Sequence, residues 1–191
     1  MQYQKPEIKE KIIGAATQEF LENGFEKSSL RTIAKGAGMT VGNIYRYYEN
    51  KEALFNEIVL PAILSLEELF KMNKDGNLNA MEVAENLILH LPNLLDSYRI
   101  PLLILLKGSK GSSVENAREL LTDVLKEDIK KHIEVYNRES NQVKLNPSLA
   151  KPLAVGFLEG IYDIIYSYDC AEEIQKLTIE YIHFFFYWSI K

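Results

Sequence analysis

Apolar residues return at intervals of three and four along most of the chain, and no stretch alternates convincingly with the period of two that a strand requires. The pattern predicts an all-α protein. Ile12, Ile13, Ala16, Phe20 and Leu21 make a first amphipathic helix, Gly24 stands where a left-handed C-terminal cap belongs, and Phe25 can fold back onto Phe20. Leu30, Ile33, Ala34 and Ala37 then fall on one face of a short second helix, opened by Ser28 or Ser29 and stopped at Gly38. Thr40 caps a third helix, with Met39 and Ile44 spaced as a hydrophobic staple and with Ile44 and Tyr47 facing inward.

After Asn50, a fourth helix runs through Leu54, Phe55, Ile58, Ala62, Leu66, Leu69 and Phe70, with Pro61 predicting a kink and Asp75-Gly-Asn77 a turn beyond it. Met81, Ala84, Ile88, Leu91, Leu95 and Tyr98 predict a helix over 79–99 bent at Pro92, and Pro101 opens a short apolar one. The run Gly108-Ser-Lys-Gly-Ser-Ser113 superficially suggests a phosphate cradle. It lacks P-loop spacing and follows no strand, so it reads as a flexible connector. Ser112 and Glu115 read as a capping box for a long helix through Leu121, Leu125, Ile129, Ile133 and Tyr136. A polar connection leads to Asn146-Pro147, which opens a helix to about Tyr168. In the last helix Ile174, Leu177, Tyr181, Phe184 and Trp188 form one stripe, and Ile179, Ile182 and Phe186 another. A helix apolar on so many faces, beside one that carries Gly156 and Gly160, predicts a homodimer interface built from Gly156, Gly160, Ile164, Tyr181, Phe184, Phe185 and Trp188. The alternative is a helix pair buried within one subunit.

The 191 residues suffice for one large domain or two small ones, and 47% hydrophobic with 26% charged residues is the balance of a folded globular chain. Cys170 is the only cysteine, so neither an intrachain disulfide nor a Cys-rich zinc site is available. The first residues lack an apolar signal region and the longest apolar runs are too short for a bilayer, which predicts a cytoplasmic protein. The net charge of −5 is unevenly spread. Residues 1–51 hold eight Lys or Arg against six Glu, and the acidic excess lies entirely in the remainder.

Between Lys27 and Tyr48 stand Lys27, Arg31, Lys35 and Arg46, with no acid among them, an electrostatic footprint for a polyanion. Gly42 costs about 1 kcal/mol relative to Ala inside a helix, which points to a close approach by another molecule. Lys51 places a cation at the positive end of the fourth helix, a conflict that a phosphate would resolve. The segments Ile13-Gly-Ala-Ala-Thr-Gln-Glu-Phe20, Ser29-Leu-Arg-Thr-Ile-Ala34, Ala37-Gly-Met-Thr-Val-Gly42, Ile44-Tyr-Arg-Tyr-Tyr48 and Asn50-Lys-Glu-Ala-Leu-Phe55 resemble the TetR family of bacterial transcriptional regulators. The resemblance implies a helix-turn-helix DNA-binding domain over 1–50 and a helical effector-binding and dimerisation domain over 51–191, with 51–73 as connecting helix. It implies that Thr40, Val41, Gly42 and Asn43 face base edges or nearby phosphates. Ser29, Arg31, Tyr45, Tyr47 and Lys51 would hold the DNA backbone. Asn43, often a small residue in the family, and Tyr48, usually Phe, depart from the pattern.

The resemblance also implies a homodimer that represses from a palindromic operator and is released by a small-molecule effector, with no cofactor or metal. His90, Arg99, Tyr136, Phe157, Tyr162 and Tyr166 are the candidates to line the effector site, a set compatible with an apolar or aromatic ligand, including a cationic one. Two rival readings are a helical adaptor for protein partners and a helical-bundle enzyme. The second rests on Glu180-Tyr-Ile-His183, a carboxylate-histidine spacing that lacks the second copy such metal sites need.

Overall fold

The computed structural model describes residues 5–72, 80–139 and 144–187, and these are helical with short connections. The order is α1 (Pro6–Lys27), α2 (Leu30–Gly36), α3 (Val41–Ile44), α4 (Lys51–Met72), α5 (Ala80–Ser97), α6 (Arg99–Gly108), α7 (Ala117–Glu139), α8 (Ala150–Ser167) and α9 (Ala171–Tyr187), with a 3-10 turn at Pro147–Leu149. Among the described residues no helix is long and apolar enough to cross a membrane. The chain divides into two compact units, residues 1–64 with 100–117, and 65–99 with 118–191.

The first unit has a core of Ile12, Ala16, Phe20, Phe25, Ile33, Ala34, Ile44, Tyr48, Leu54, Phe55, Ile58 and Val59, completed by Ile104 and Leu105 of α6. Phe20, Phe25 and Phe55 form its centre, with both Phe20 and Phe25 meeting Phe55 edge-on at 5.0 Å between ring centres. The return of Phe25 onto Phe20 depends on Gly24, whose φ of 69° breaks the helical path inside α1. Gly38, at φ 68°, makes the corresponding turn between α2 and α3. Both glycines were legible as turn residues. Ile44 has a second inward partner in Tyr48, which is buried in the core while Tyr47 packs half-buried against it: the i,i+4 relation, carried by the Tyr48 N–H to Ile44 carbonyl bond at 3.0 Å, keeps 44 and 48 on one face.

The segment 108–113 is not a loose connector. Ser112 is buried and donates its hydroxyl to the Ser109 carbonyl at 2.6 Å, while Gly111 takes a φ of 83°. The Glu115 carboxylate accepts from the Gly111 N–H at 2.9 Å, so the Ser112/Glu115 pair closes a turn and α7 begins later, at Ala117. The amides that gave the stretch its look of a phosphate cradle are in part occupied by the chain's own carboxylates.

In the second unit α9 packs along α5 and against α8. Its most buried row is Ile174, Thr178 and Ile182, at i, i+4 and i+8. The apolar pattern had assigned Ile174 and Ile182 to different stripes, because the polar Thr178 between them hid the row. Gly160 lies under the Tyr181 ring of the same chain, where any side chain at 160 would collide, and the Tyr181 hydroxyl donates to the Gly156 carbonyl at 2.8 Å. That close approach is therefore made within the subunit. Pro61 and Pro92 lie inside continuous helices. The 75–77 turn and Trp188 lie outside the described residues.

Candidate nucleic-acid interface

The side chains singled out for DNA sit on a small scaffold built by three capping devices. Ser29, rather than Ser28, caps α2: its Oγ accepts from the Thr32 N–H at 3.1 Å. Ser28 is buried and donates to the Phe25 carbonyl at 2.8 Å. Asn50 caps α4 by accepting from the Ala53 N–H at 2.8 Å. Thr40 stands at the N-cap of α3 in extended conformation with no side-chain capping bond. Its exposed hydroxyl therefore remains available to an outside partner.

Gly42, Asn43, Tyr45 and Arg46 are exposed around the buried Ile44, and Val41 is half-buried beside them. Tyr45 is 56% exposed, a large aromatic side chain that the core of this unit does not use. A methyl group added at Gly42 would meet only the Thr40 hydroxyl, at 3.8 Å, so nothing in the fold demands a glycine there. Arg31, Lys35 and Lys27 are exposed as well.

Tyr47 and Lys51 have structural partners that spacing did not announce. The Tyr47 hydroxyl accepts from the Lys5 N–H at 3.1 Å, tying the start of α1 to the end of the helix-turn-helix. The Lys51 ammonium donates to the carbonyls of Phe25 at 2.6 Å and Ser28 at 3.0 Å and lies 4.2 Å from the centre of the Phe25 ring. These carbonyls at the end of α1 satisfy the cation that is out of place at the start of α4. Glu19 is a further residue that sequence reasoning missed. It is buried and accepts from the Ser29 N–H at 3.3 Å and the Asn23 amide at 3.1 Å, fastening α1 to the start of α2. Its only signal was a carboxylate on the apolar side of α1.

The effector candidates do not share one setting. Tyr162 and Tyr166 stack at 5.7 Å on α8, with the Arg118 guanidinium 5.6 Å from the Tyr162 ring and ion-paired with Glu159. Phe157 is buried among Tyr181, Phe185 and Phe186 of α9. His90, Arg99 and Tyr136 are half-buried, and the Arg99 Nε is enclosed without a hydrogen-bond partner among the described residues. No three His, Cys, Asp or Glu side chains gather as a metal site among the described residues.

Residues 12–58 match the family described as bacterial regulatory proteins, tetR family. The HTH-type transcriptional regulator UidR of Escherichia coli (strain K12) is 35% identical over 60 residues, 31% of this chain and 31% of the regulator. The fatty acid metabolism regulator protein of Bacillus subtilis (strain 168) is 42% identical over 64 residues, 31% of this chain and 33% of that protein. The chain thus matches about a third of the length of these curated relatives. Across nearly the whole fold, SCO3833 of Streptomyces coelicolor A3, a member of the TetR transcriptional regulator family, superposes with a TM-score of 0.68 at 18% identity, covering 92% of this chain and 89% of that one. The matched residues are those that build the helix-turn-helix and its caps, and over them the chain is similar to the TetR family of bacterial regulatory proteins.

Proposed function

We propose that this protein is a sequence-specific DNA-binding transcriptional regulator that acts as a homodimer, represses from a pseudo-palindromic operator, and is released by a small molecule bound in its second unit. The observation that carries the DNA reading is the exposed rim of α3. Asn43, Tyr45 and Arg46 point outward beside a glycine the fold does not need, and no acid stands between Lys27 and Tyr48. Thr40, Val41, Gly42 and Asn43 read bases or nearby phosphates, while Ser29, Arg31, Tyr45, Arg46, Tyr47 and Lys51 hold the backbone. Two-fold symmetry spaces the half-sites by about one helical turn, roughly 34–36 Å, or a multiple of it.

The dimer reading is supported by apolar side chains that remain exposed on α8 and α9: Leu153, Val155, Tyr166 and Phe184, with Gly156 open beside them and Ile164 and Phe185 half-buried. The effector reading is supported by the aromatic side chains of α8 and by the enclosed Arg99. The matches to named regulators span about a third of this chain, so they assign no effector to it.

Selection of bound duplexes from a random DNA pool, at several salt concentrations and with Tyr45→Ala in parallel, tests the reading. A palindromic motif that is lost in the variant, with affinity falling as salt rises, is the expected result. Retention indifferent to sequence, salt and Tyr45 would overturn it and favour a helical adaptor for protein partners.

A further inference from the structure

The helices proposed to meet DNA, with their turns, occupy residues 28–50, an excursion whose two ends must be held for α2 and α3 to keep one tilt. Lys51 holds them directly, by gripping the Phe25 and Ser28 carbonyls. The next residue, Glu52, faces a different element. Its Oε1 accepts from both the Ser113 N–H, at 2.8 Å, and the Ser113 hydroxyl, at 2.6 Å. The turn that carries Ser113 also lies on the end of α1. Gly108 and Gly24 approach so closely that a side-chain carbon at 108 would stand 3.3 Å from the Gly24 Cα and 3.3 Å from the Phe20 carbonyl oxygen. Glu26 meets Lys110 at 3.1 Å, a pair too exposed to contribute much.

The turn 108–113 thus touches the end of α1 and the start of α4, the two places where the DNA-facing excursion leaves and rejoins the unit. We propose that it is a clasp that sets the tilt of α2 and α3, with Glu52 and Gly108 as positioning residues for DNA binding; the proposal rests on the regulator reading above. A carboxylate that accepts two short hydrogen bonds fixes direction as well as distance. The glycine pair leaves no room for the turn to slide. The clasp lies between the end of α6 and the start of α7.

The experiment uses the duplex that the wild-type protein selects. Glu52→Ala and Gly108→Ala should each weaken its affinity by about fivefold or more, the scale of an ordinary coupling between sites. The two losses should not multiply in the double variant, because both act by opening one clasp. Glu52→Gln keeps an oxygen that can accept from Ser113 and should restore most of the affinity. Amide hydrogen exchange gives a readout without DNA: the first turn of α2 should exchange faster in Glu52→Ala at temperatures well below unfolding. Wild-type affinity in both single variants, or losses that multiply in the double variant, would overturn the clasp. A wild-type protein that selects no duplex would defeat the regulator reading instead. The exchange measurement would then decide alone, with unchanged protection of α2 counting against the clasp.

Discussion

Gly42 and Tyr48 are two residues whose roles in fold and function pull apart. Gly42 lies in helical backbone where an added methyl group would make only an ordinary contact with the Thr40 hydroxyl, so Gly42→Ala should raise the stability of the free protein by about 0.5–1 kcal/mol. The added methyl group stands where a DNA strand would come closest. Affinity for the selected duplex should therefore fall by about tenfold, the scale of one lost contact. Thermal unfolding and DNA titration of one variant would thus move in opposite directions, and a gain in both would remove Gly42 from the interface. Tyr48 is the converse case, a buried phenol whose hydroxyl has no partner among the described residues. Burial, with a smaller contribution from Glu57, pushes its pKa up to about 12. The folded state thus holds this proton more tightly than the unfolded chain, whose tyrosine ionises near 10. The contribution is complete below pH 10 and is lost as pH rises through 12. Tyr48→Phe should add up to about 1 kcal/mol at neutral pH and remove that part of the alkaline decline, read as the difference between the two unfolding curves against pH.

At the scale of elements, the sequence carried what is local and missed what closes across distance. Gly24, Gly38 and the Asn50 cap could be read because each is a residue type required by its own backbone. The Lys51 grip on Phe25 and Ser28 could not, because it joins positions 26 and 23 residues apart and looks like an error when α4 is considered alone. Glu52 and Ser113, 61 residues apart, are hidden for the same reason. Lys51 now has two separable effects. Two carbonyls satisfy its ammonium without neutralising it, so its charge remains available to a phosphate. Lys51→Ala should cost about 2 kcal/mol of stability through the lost charge-assisted bonds and ring contact, whereas Arg46→Ala on the exposed rim should cost under about 0.5 kcal/mol. Both variants should reduce the slope of log affinity against log salt by about one. If Lys51→Ala unfolds at the wild-type temperature, the grip is not holding the end of α1.

For the whole molecule, the positional split of charge between residues 1–51 and an acidic remainder was legible, but the membership of the first unit was not. Periodicity describes one helix at a time, and residues 100–117 join residues 1–64 through side chains that no local pattern records. The same blindness affects α8 and α9. Gly160 serves a contact inside the subunit, and Ile174, Thr178 and Ile182 are spent on the subunit's own packing. What remains outward is the test of the dimer. Phe184 is 66% exposed, an apolar area that a monomer in water would gain by covering. A stable pairing of chains covers about 1,200–2,000 Å² in all, with its energy concentrated in a few buried aromatic side chains. Phe184→Glu would leave a carboxylate in such an interface without a partner, while in the isolated subunit it would stand in solvent. The variant should therefore retain its helical content and elute with the mass of one chain where the wild type has the mass of two. Its affinity for the palindromic duplex should drop toward that for a single half-site, because the second half-site no longer binds as part of the same particle. A variant that stays dimeric with unchanged affinity would move the interface away from the exposed end of α9.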